Sequence, residues 1–315
     1  MYQRLAESLV RPYVYRELPG WGPIYHRLIG SYQRDAQWQR AGTRRIRGKL
    51  HGFVMELDLG HWSQRATYFL GRYYDLATQL LCQAVLRPGD RMYDIGANIG
   101  MISLLGARIV GPNGRVDAFE PNPACAQKIR ATLAENQISN VFVHQVGLAD
   151  RPGTLTLSIP AINAGEASFA PSQYPASETS RLHVSVQRGD DLLDAGEPPA
   201  LIKIDVEGFE CRVLDGLRET LETAHPVIVT EVVPDHLQRA GSSADELFGR
   251  MIESGYTAYP LSTRRTRLSH ALHFGQPGSR GAVVGDVAWF HHASHDRLAT
   301  RLRAAVSATK RAGAG

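Results

Sequence analysis

The chain has 315 residues, 43% of them hydrophobic and 21% charged, which is enough apolar material for a full α/β core in one large domain or two small ones. It has no run of eighteen apolar residues and no apolar signal core after Met-Tyr-Gln-Arg-Leu-Ala-Glu, so no transmembrane helix and a cytoplasmic location are expected. Its net charge of +4 sits at the ends, with +7 in residues 1–50, +4 in 296–315 and about −7 between, a pattern that argues against a basic nucleic-acid-binding face.

Residues 1–50 mix aromatic and basic side chains and read as helical pieces broken at Pro12 and at Pro19–Gly20. The cluster Arg44, Arg45, Arg47 and Lys49 reads as a solvated lead-in to the domain. A strand is expected over 52–59, and a helix over 73–85 that stops at Pro88–Gly89. Strands at 91–95, 115–119, 141–146, 200–205 and 226–232 then alternate with helices at 99–110, 123–136 and 209–224. Such alternation predicts a parallel sheet covered on both faces. Extra strands are expected at 154–159 and 182–187, around the polar loop Pro160–Arg181. Two late runs, Tyr256–Leu261 and Val287–His291, lack a helix between them and predict a terminal antiparallel pair. Residues 296–315 read as a basic amphipathic helix. Three parts follow: 1–70 as an N-terminal helical and hairpin extension, 71–295 as the main domain, and 296–315 as a tail. Cys82, Cys125 and Cys211 have no metal-type spacing and read as core residues of a reducing compartment.

The most informative stretch is Tyr93-Asp-Ile-Gly-Ala-Asn-Ile-Gly100. A strand that runs through a glycine turn into a helix lets the backbone approach a ligand and offers free amides. A dinucleotide turn reads Gly-x-Gly-x-x-Gly because it receives an anionic pyrophosphate. Here the turn holds Asp94 with Gly96, Ala97, Asn98 and Gly100. An acid suits the ammonium group of S-adenosylmethionine (SAM) and would repel a pyrophosphate, which disfavours a nicotinamide dehydrogenase. Glu120 ends the next strand, 26 residues on, where a carboxylate can accept both ribose hydroxyls.

The fourth strand ends in Leu201-Ile-Lys-Ile-Asp-Val-Glu-Gly-Phe-Glu210 and the fifth in Glu231. Ligands bind outside the carboxyl ends of such strands, so Asp205, Glu207 and Glu231 are the candidate catalytic residues, with Lys203 on the face of Asp205. A carboxylate, or His236 nearby, can serve as base for a hydroxyl. Alternatively, Asp205, Glu207 and Glu231 can hold a divalent ion such as magnesium. Spacing leaves the two open, with a metal-free site slightly ahead.

Together with Gly71-Arg-Tyr-Tyr-Asp75, Ala118-Phe-Glu-Pro-Asn-Pro123, Asn163-Ala-Gly-Glu-Ala-Ser168 and Thr230-Glu-Val, these segments resemble the FkbM family of SAM-dependent methyltransferases over roughly residues 70–292. The resemblance implies a Rossmann-like class I methyltransferase fold: a mostly parallel seven-stranded sheet with a terminal antiparallel strand and helices on both faces. It implies SAM as cofactor, held by Asp94, Gly96, Ala97, Asn98, Gly100, Glu120, Gly147 and Asp205, and O-methylation of a sugar, glycolipid or polyketide hydroxyl. N- or C-methylation, or a SAM-binding module without catalysis, are the rival readings. Asp75 stands where Glu is common in the family, and the loop at 163–168 lacks the family's usual glycine pair. Asn163 and Ser168 fall to the acceptor side. The loop 262–281, with Arg264, Arg265, Arg267 and Arg280 and no acid, is expected to leave the sheet at the ligand edge and grip an anionic part of the acceptor.

Overall fold

The computed structural model describes residues 2–30, 34–161, 164–192, 197–266, 270–278 and 283–294. Asn163, Arg267, Arg280 and the tail from 295 lie outside them. Residues 2–15 wind continuously, as α1 (Tyr2–Leu5), a π turn (Ala6–Val10) and α2 (Arg11–Tyr15). Pro12 was expected to break this segment and instead opens α2. A proline has no N–H to donate and its ring crowds the preceding turn, which here is the wider π turn. The chain continues through α3 (Trp21–Leu28), α4 (Asp35–Trp38), the antiparallel pair β1 (Thr43–Arg47) and β2 (Val54–Asp58), and α5 (Trp62–Leu70).

These elements share a core of their own around Trp38, Leu57 and Phe69, which meets the main domain at Met101. The basic cluster is only in part a solvated lead-in: Arg45 and Arg47 are exposed, but Arg44 and Lys49 are half-buried against acids. Arg44 pairs with Glu7 at 2.8 Å, Lys49 with Glu17 at 3.1 Å, and Arg45 with Glu135. Its charges tie the hairpin to the helices on both sides, because three acids happen to fold against it.

Next come α6 (Leu76–Val85), β3 (Arg91–Ile95), α7 (Met101–Val110), β4 (Arg115–Phe119), α8 (Pro123–Glu135), β5 (Val141–His144) and β6 (Gly147–Leu148). They are followed by β7 (Gly153–Pro160), β8 (Thr179–Gln187), α9 (Gly189–Leu192), β9 (Pro199–Ile204), α10 (Glu210–Asp215), α11 (Arg218–Ala224) and β10 (Val227–Val232). The chain then runs through α12 (Pro234–Arg239), α13 (Ala244–Glu253), β11 (Tyr256–Arg265), β12 (His270–Phe274) and β13 (Gly285–His291). Asp75 caps α6 by accepting from the Thr78 amide at 3.1 Å, and Asn122 caps α8.

The main sheet has the order β12-β11-β13-β10-β9-β3-β4-β5. Strands β10, β9, β3, β4 and β5 are parallel, and β13 lies antiparallel between β10 and β11. This is the class I methyltransferase arrangement with an eighth strand. The stretch expected as a loop after residue 261 instead pairs β11 with β12, Leu261 facing Phe274 and Arg265 facing His270. An edge strand exposes much of its surface and can be polar, so its pattern resembled a loop.

Alternation splits the sheet into two layers. Met92, Leu201, Val227 and Val229 pack with α6, α7 and α8 on one face. Tyr93, Ile95, Ile202, Ile204 and Ile228 pack with α10, α11 and α13 on the other. The helix expected over 209–224 is broken at Gly216, which packs so closely on Ala149 that a Cβ there would lie 2.0 Å from the Ala149 carbonyl oxygen. The expected pair at 154–159 and 182–187 forms β7 and β8, which join β6 in a small separate sheet beside the cavity.

Candidate active site

At the carboxyl ends of β3, β4, β9 and β10 lies a cavity of about 260 Å³. One end is built by the turn after β3. Gly96 has φ +76° and its missing side chain leaves room for β9; a Cβ would sit 1.9 Å from the Asp205 carbonyl oxygen. Asn98 is left-handed at φ +51°. The amides of Gly96 and Ala97 both donate to the Phe119 carbonyl at 3.0 Å, which stitches this turn to β4. Glu120 follows and is 6% exposed. Its carboxylate accepts from the Asn98 amide at 2.7 Å and the Asn122 amide at 2.8 Å. Burial pushes its pKa up to about 7, although the two amides pull it down. Glu120, Asn98, Gly96 and Gly147 all line the cavity.

Asp94 does not line it. It is fully buried at the floor, where it accepts from the Ser103 hydroxyl and pairs with Lys203 at 3.5 Å. Ala97 and Gly100 are likewise behind the wall; Gly100, at φ +84°, starts α7. Lys203 is the hub of the floor. Its Nζ donates to the Gly96 carbonyl at 2.7 Å and lies 3.3 Å from Asp205. Burial alone would lower its pKa, but Asp205 and Asp94 overcome this and hold it raised.

The other end is lined by Trp62, Tyr73 and Tyr74 and by Glu166, Asp205, Glu207, Glu231 and His236. Glu207 follows β9 in a left-handed turn at φ +55°. Its carbonyl accepts from the Ser168 hydroxyl at 2.7 Å, so the loop between β7 and β8 is fastened to the strand end. Glu207 Oε2 lies 2.7 Å from His236 Nδ1. Burial raises the Glu207 pKa, and the Glu207 partner raises that of His236. Gly208 lets the two segments meet; a Cβ there would lie 2.2 Å from the His236 carbonyl oxygen.

Glu231 faces Asp286 across the β10–β13 ladder. Burial, and then the charge of Asp205, push Glu231 up to about 9. Asp286 shares a hydrogen bond with Asp75, and burial first, then Asp75, push it up to about 8. Acids at this end therefore outnumber their cations, which is why burial and mutual repulsion raise Glu231 and Asp286 above neutrality.

The structure thus brings Asp205, Glu207, Glu231, His236 and Ser168 to one end of the cavity, and adds the pair Asp75 and Asp286. The partners of Asp286 become visible only once the antiparallel register is known. Arg264 and Arg265 do not leave the sheet as expected; they end β11, paired with β12, and neither lines the cavity. Arg264 reaches His273 at 2.8 Å, and Arg265 donates to the Glu17 carbonyl at 2.6 Å.

A family model described as the Methyltransferase FkbM domain matches residues 94–258. The hexuronic acid methyltransferase AglP of Haloferax volcanii is 33% identical over 154 residues, 44% of this chain and 55% of AglP. The 31-O-demethyl-FK506 methyltransferase FkbM of Streptomyces tacrolimicus is 29% identical over 162 residues, 42% of this chain and 62% of that protein. The chain therefore spans between about half and two thirds of the length of these relatives. Among solved structures, Methyltransferase FkbM from Methylobacillus flagellatus has a TM-score of 0.40 at 18% identity, covering 88% of this chain and 62% of that one. The family match takes in just over half of the chain, from Asp94 in β3 to the start of β11, and includes the glycine turn, Glu120 and the carboxylates of the cavity but not Trp62, Tyr73 and Tyr74; the chain belongs to the FkbM family of methyltransferases.

Proposed function

We propose that the protein methylates a hydroxyl group of an uncharged, carbohydrate-like acceptor with SAM as donor. The observation that carries this reading is the two-ended cavity. One end has the glycine turn and the Glu120 carboxylate, which fit an adenosine with two ribose hydroxyls. The other has aromatic rings beside carboxylates, a combination that packs on sugar C–H faces and accepts from hydroxyls. No Lys or Arg lines the cavity among the described residues, so an anionic group at the reacting centre would lack a cationic side chain as partner. This favours a neutral acceptor over the anionic one expected from the arginine-rich edge.

Glu120, Asn98, Gly96 and Gly147 would hold the cofactor's adenosine. Asp94 would act through Lys203 and the turn rather than by contact. When bound, SAM supplies an electrophilic methyl group. Asp205, oriented by Lys203 and about one-third exposed, would accept the acceptor's hydroxyl proton.

The test is incubation of the enzyme with isotopically labelled SAM and a panel of neutral sugars, glycolipids and uronic acids, followed by mass spectrometry. The reading expects label on a hydroxyl oxygen of a neutral acceptor, with S-adenosylhomocysteine released in equal amount. Label confined to a carboxylate or an amine would overturn the acceptor assignment. No binding of SAM by the folded protein would overturn the cofactor assignment.

A further inference from the structure

We propose that Glu207, Glu231 and His236 form a binding site for a divalent transition-metal ion at the acceptor end of the cavity. The site deepens the methyltransferase reading, because it lies beside the position assigned to the acceptor hydroxyl. The three residues come from separate parts of the chain: the turn after β9, the end of β10, and α12. Each offers a donor atom, and these atoms lie within 4.8 Å of one another.

The second observation concerns how two of them meet. Glu207 Oε2 and His236 Nδ1 are 2.7 Å apart, yet both are buried and neither has a well-formed hydrogen bond. A buried carboxylate oxygen and a buried imidazole nitrogen without a well-formed hydrogen bond are donors that a cation can take up. Glu166 and Asp205 also line this end, and no Lys or Arg does among the described residues; Arg239, on α12 with His236, is the nearby cation whose charge acts on that histidine. Lys203 sits behind the wall and is committed to Asp205, Asp94 and the Gly96 carbonyl.

That commitment separates this set from the all-carboxylate set of Asp205, Glu207 and Glu231. Asp205 is engaged by Lys203 at 3.3 Å, and the third donor is the imidazole of His236. Two carboxylates and one imidazole suit manganese(II) or zinc(II) better than magnesium or calcium, which prefer oxygen alone. An ion held by three protein ligands keeps positions open for an acceptor hydroxyl, whose proton it would acidify.

The test is direct metal binding by the full chain after removal of metals with a chelator, with no SAM or acceptor present. Manganese(II), zinc(II) and magnesium chlorides are titrated by calorimetry, and bound manganese is examined by pulsed electron paramagnetic resonance. One manganese or zinc site per chain is expected, with a nitrogen coupling in the resonance spectrum. Glu231→Gln and His236→Gln should each weaken binding at least tenfold, and His236→Gln should abolish the nitrogen coupling. Asp205→Asn should change affinity less than threefold. Circular dichroism of each variant checks that it is folded; a misfolded variant is replaced by Glu207→Gln, which should also weaken binding tenfold. The proposal is overturned by absence of saturable manganese or zinc binding, by binding that survives both substitutions, or by tighter binding of magnesium. These readouts do not involve turnover. Metal binding without methyl transfer would sink the functional reading alone, and metal-independent methyl transfer without metal binding would sink this one alone.

Discussion

Glu120 and Asp205 carry opposite ends of the chemistry, and each makes a separable prediction. Burial sets the Glu120 pKa at about 7, so its ionised form, the better acceptor for ribose hydroxyls, is lost as pH falls through neutrality. SAM affinity, measured by calorimetry, should therefore fall below pH 7. Glu120→Gln should cost about 1.5–3 kcal/mol of binding and remove that pH dependence; an unchanged pH profile would reject the contact. For Asp205→Asn, turnover should drop at least about tenfold, or about 1.4 kcal/mol of barrier, while SAM affinity stays within a small factor. Full turnover in that variant would remove Asp205 from the reaction. Both residues are legible in the sequence because each ends an apolar run, and the strand period fixes where it points. Asp94 is legible as important but not as buried. Its partners Ser103 and Lys203 are brought to it by the first turn of α7 and by the neighbouring strand β9. His236 was legible only as a histidine close after Glu231, and Asp286 was not identifiable, because nothing local distinguishes an aspartate in a late strand from a solvated one.

The parallel strands and the helices around them follow from periodicity, whereas the way the N-terminal helices dock depends on one acid. Glu17 pairs with Arg72 at 2.9 Å and Lys49 at 3.1 Å, its carboxylate lies 3.5 Å from His270, and its carbonyl accepts from Arg265. Four residues far apart in the chain thus converge on Glu17, three on its carboxylate and one on its carbonyl. That is why the basic cluster at Arg44–Lys49 and the arginines at the end of β11 read as solvated or ligand-seeking when taken singly. Burial opposes ionisation of Glu17, but the hydrogen bond and charge of Arg72 win and hold its pKa below the usual carboxylate value. Arg72 is itself buried, so Glu17→Gln leaves it without its counter-ion. Breaking such a pair costs about 3–5 kcal/mol, which denaturant unfolding should register. A loss under about 1 kcal/mol would show that the convergence contributes little to docking.

The cavity lies at one edge of the sheet, and acid sensitivity should enter at the opposite edge. There His225 stacks on His291 with ring centroids 3.7 Å apart and planes 3° from parallel, and His292 lies 4.2 Å further on. Gly255 permits the approach; a Cβ at its φ of +82° would come within 2.6 Å of the His291 ring. Burial first, and then the neighbouring His225 and His292, hold the His291 pKa below its ordinary 6.5. A depressed histidine favours the fold while neutral, so its contribution is present above about pH 6.5 and declines as pH falls below it. The carboxylates Glu120 and Glu210, raised to about 7 by burial, act with the opposite sign, because protonation relieves them and the fold gains as pH falls from 7. A wild-type stability curve alone therefore mixes the two. The difference between wild type and His291→Phe cancels the carboxylates, which lie far from the substitution and are common to both proteins. Phe keeps the ring stack and removes the titrating nitrogens. Between pH 7 and pH 5, the wild type should lose stability relative to His291→Phe, by at most about 1.4 kcal/mol per pH unit. Denaturant unfolding at a series of pH values measures this, and parallel curves for the two proteins would exclude the histidine stack as the acid-sensitive point.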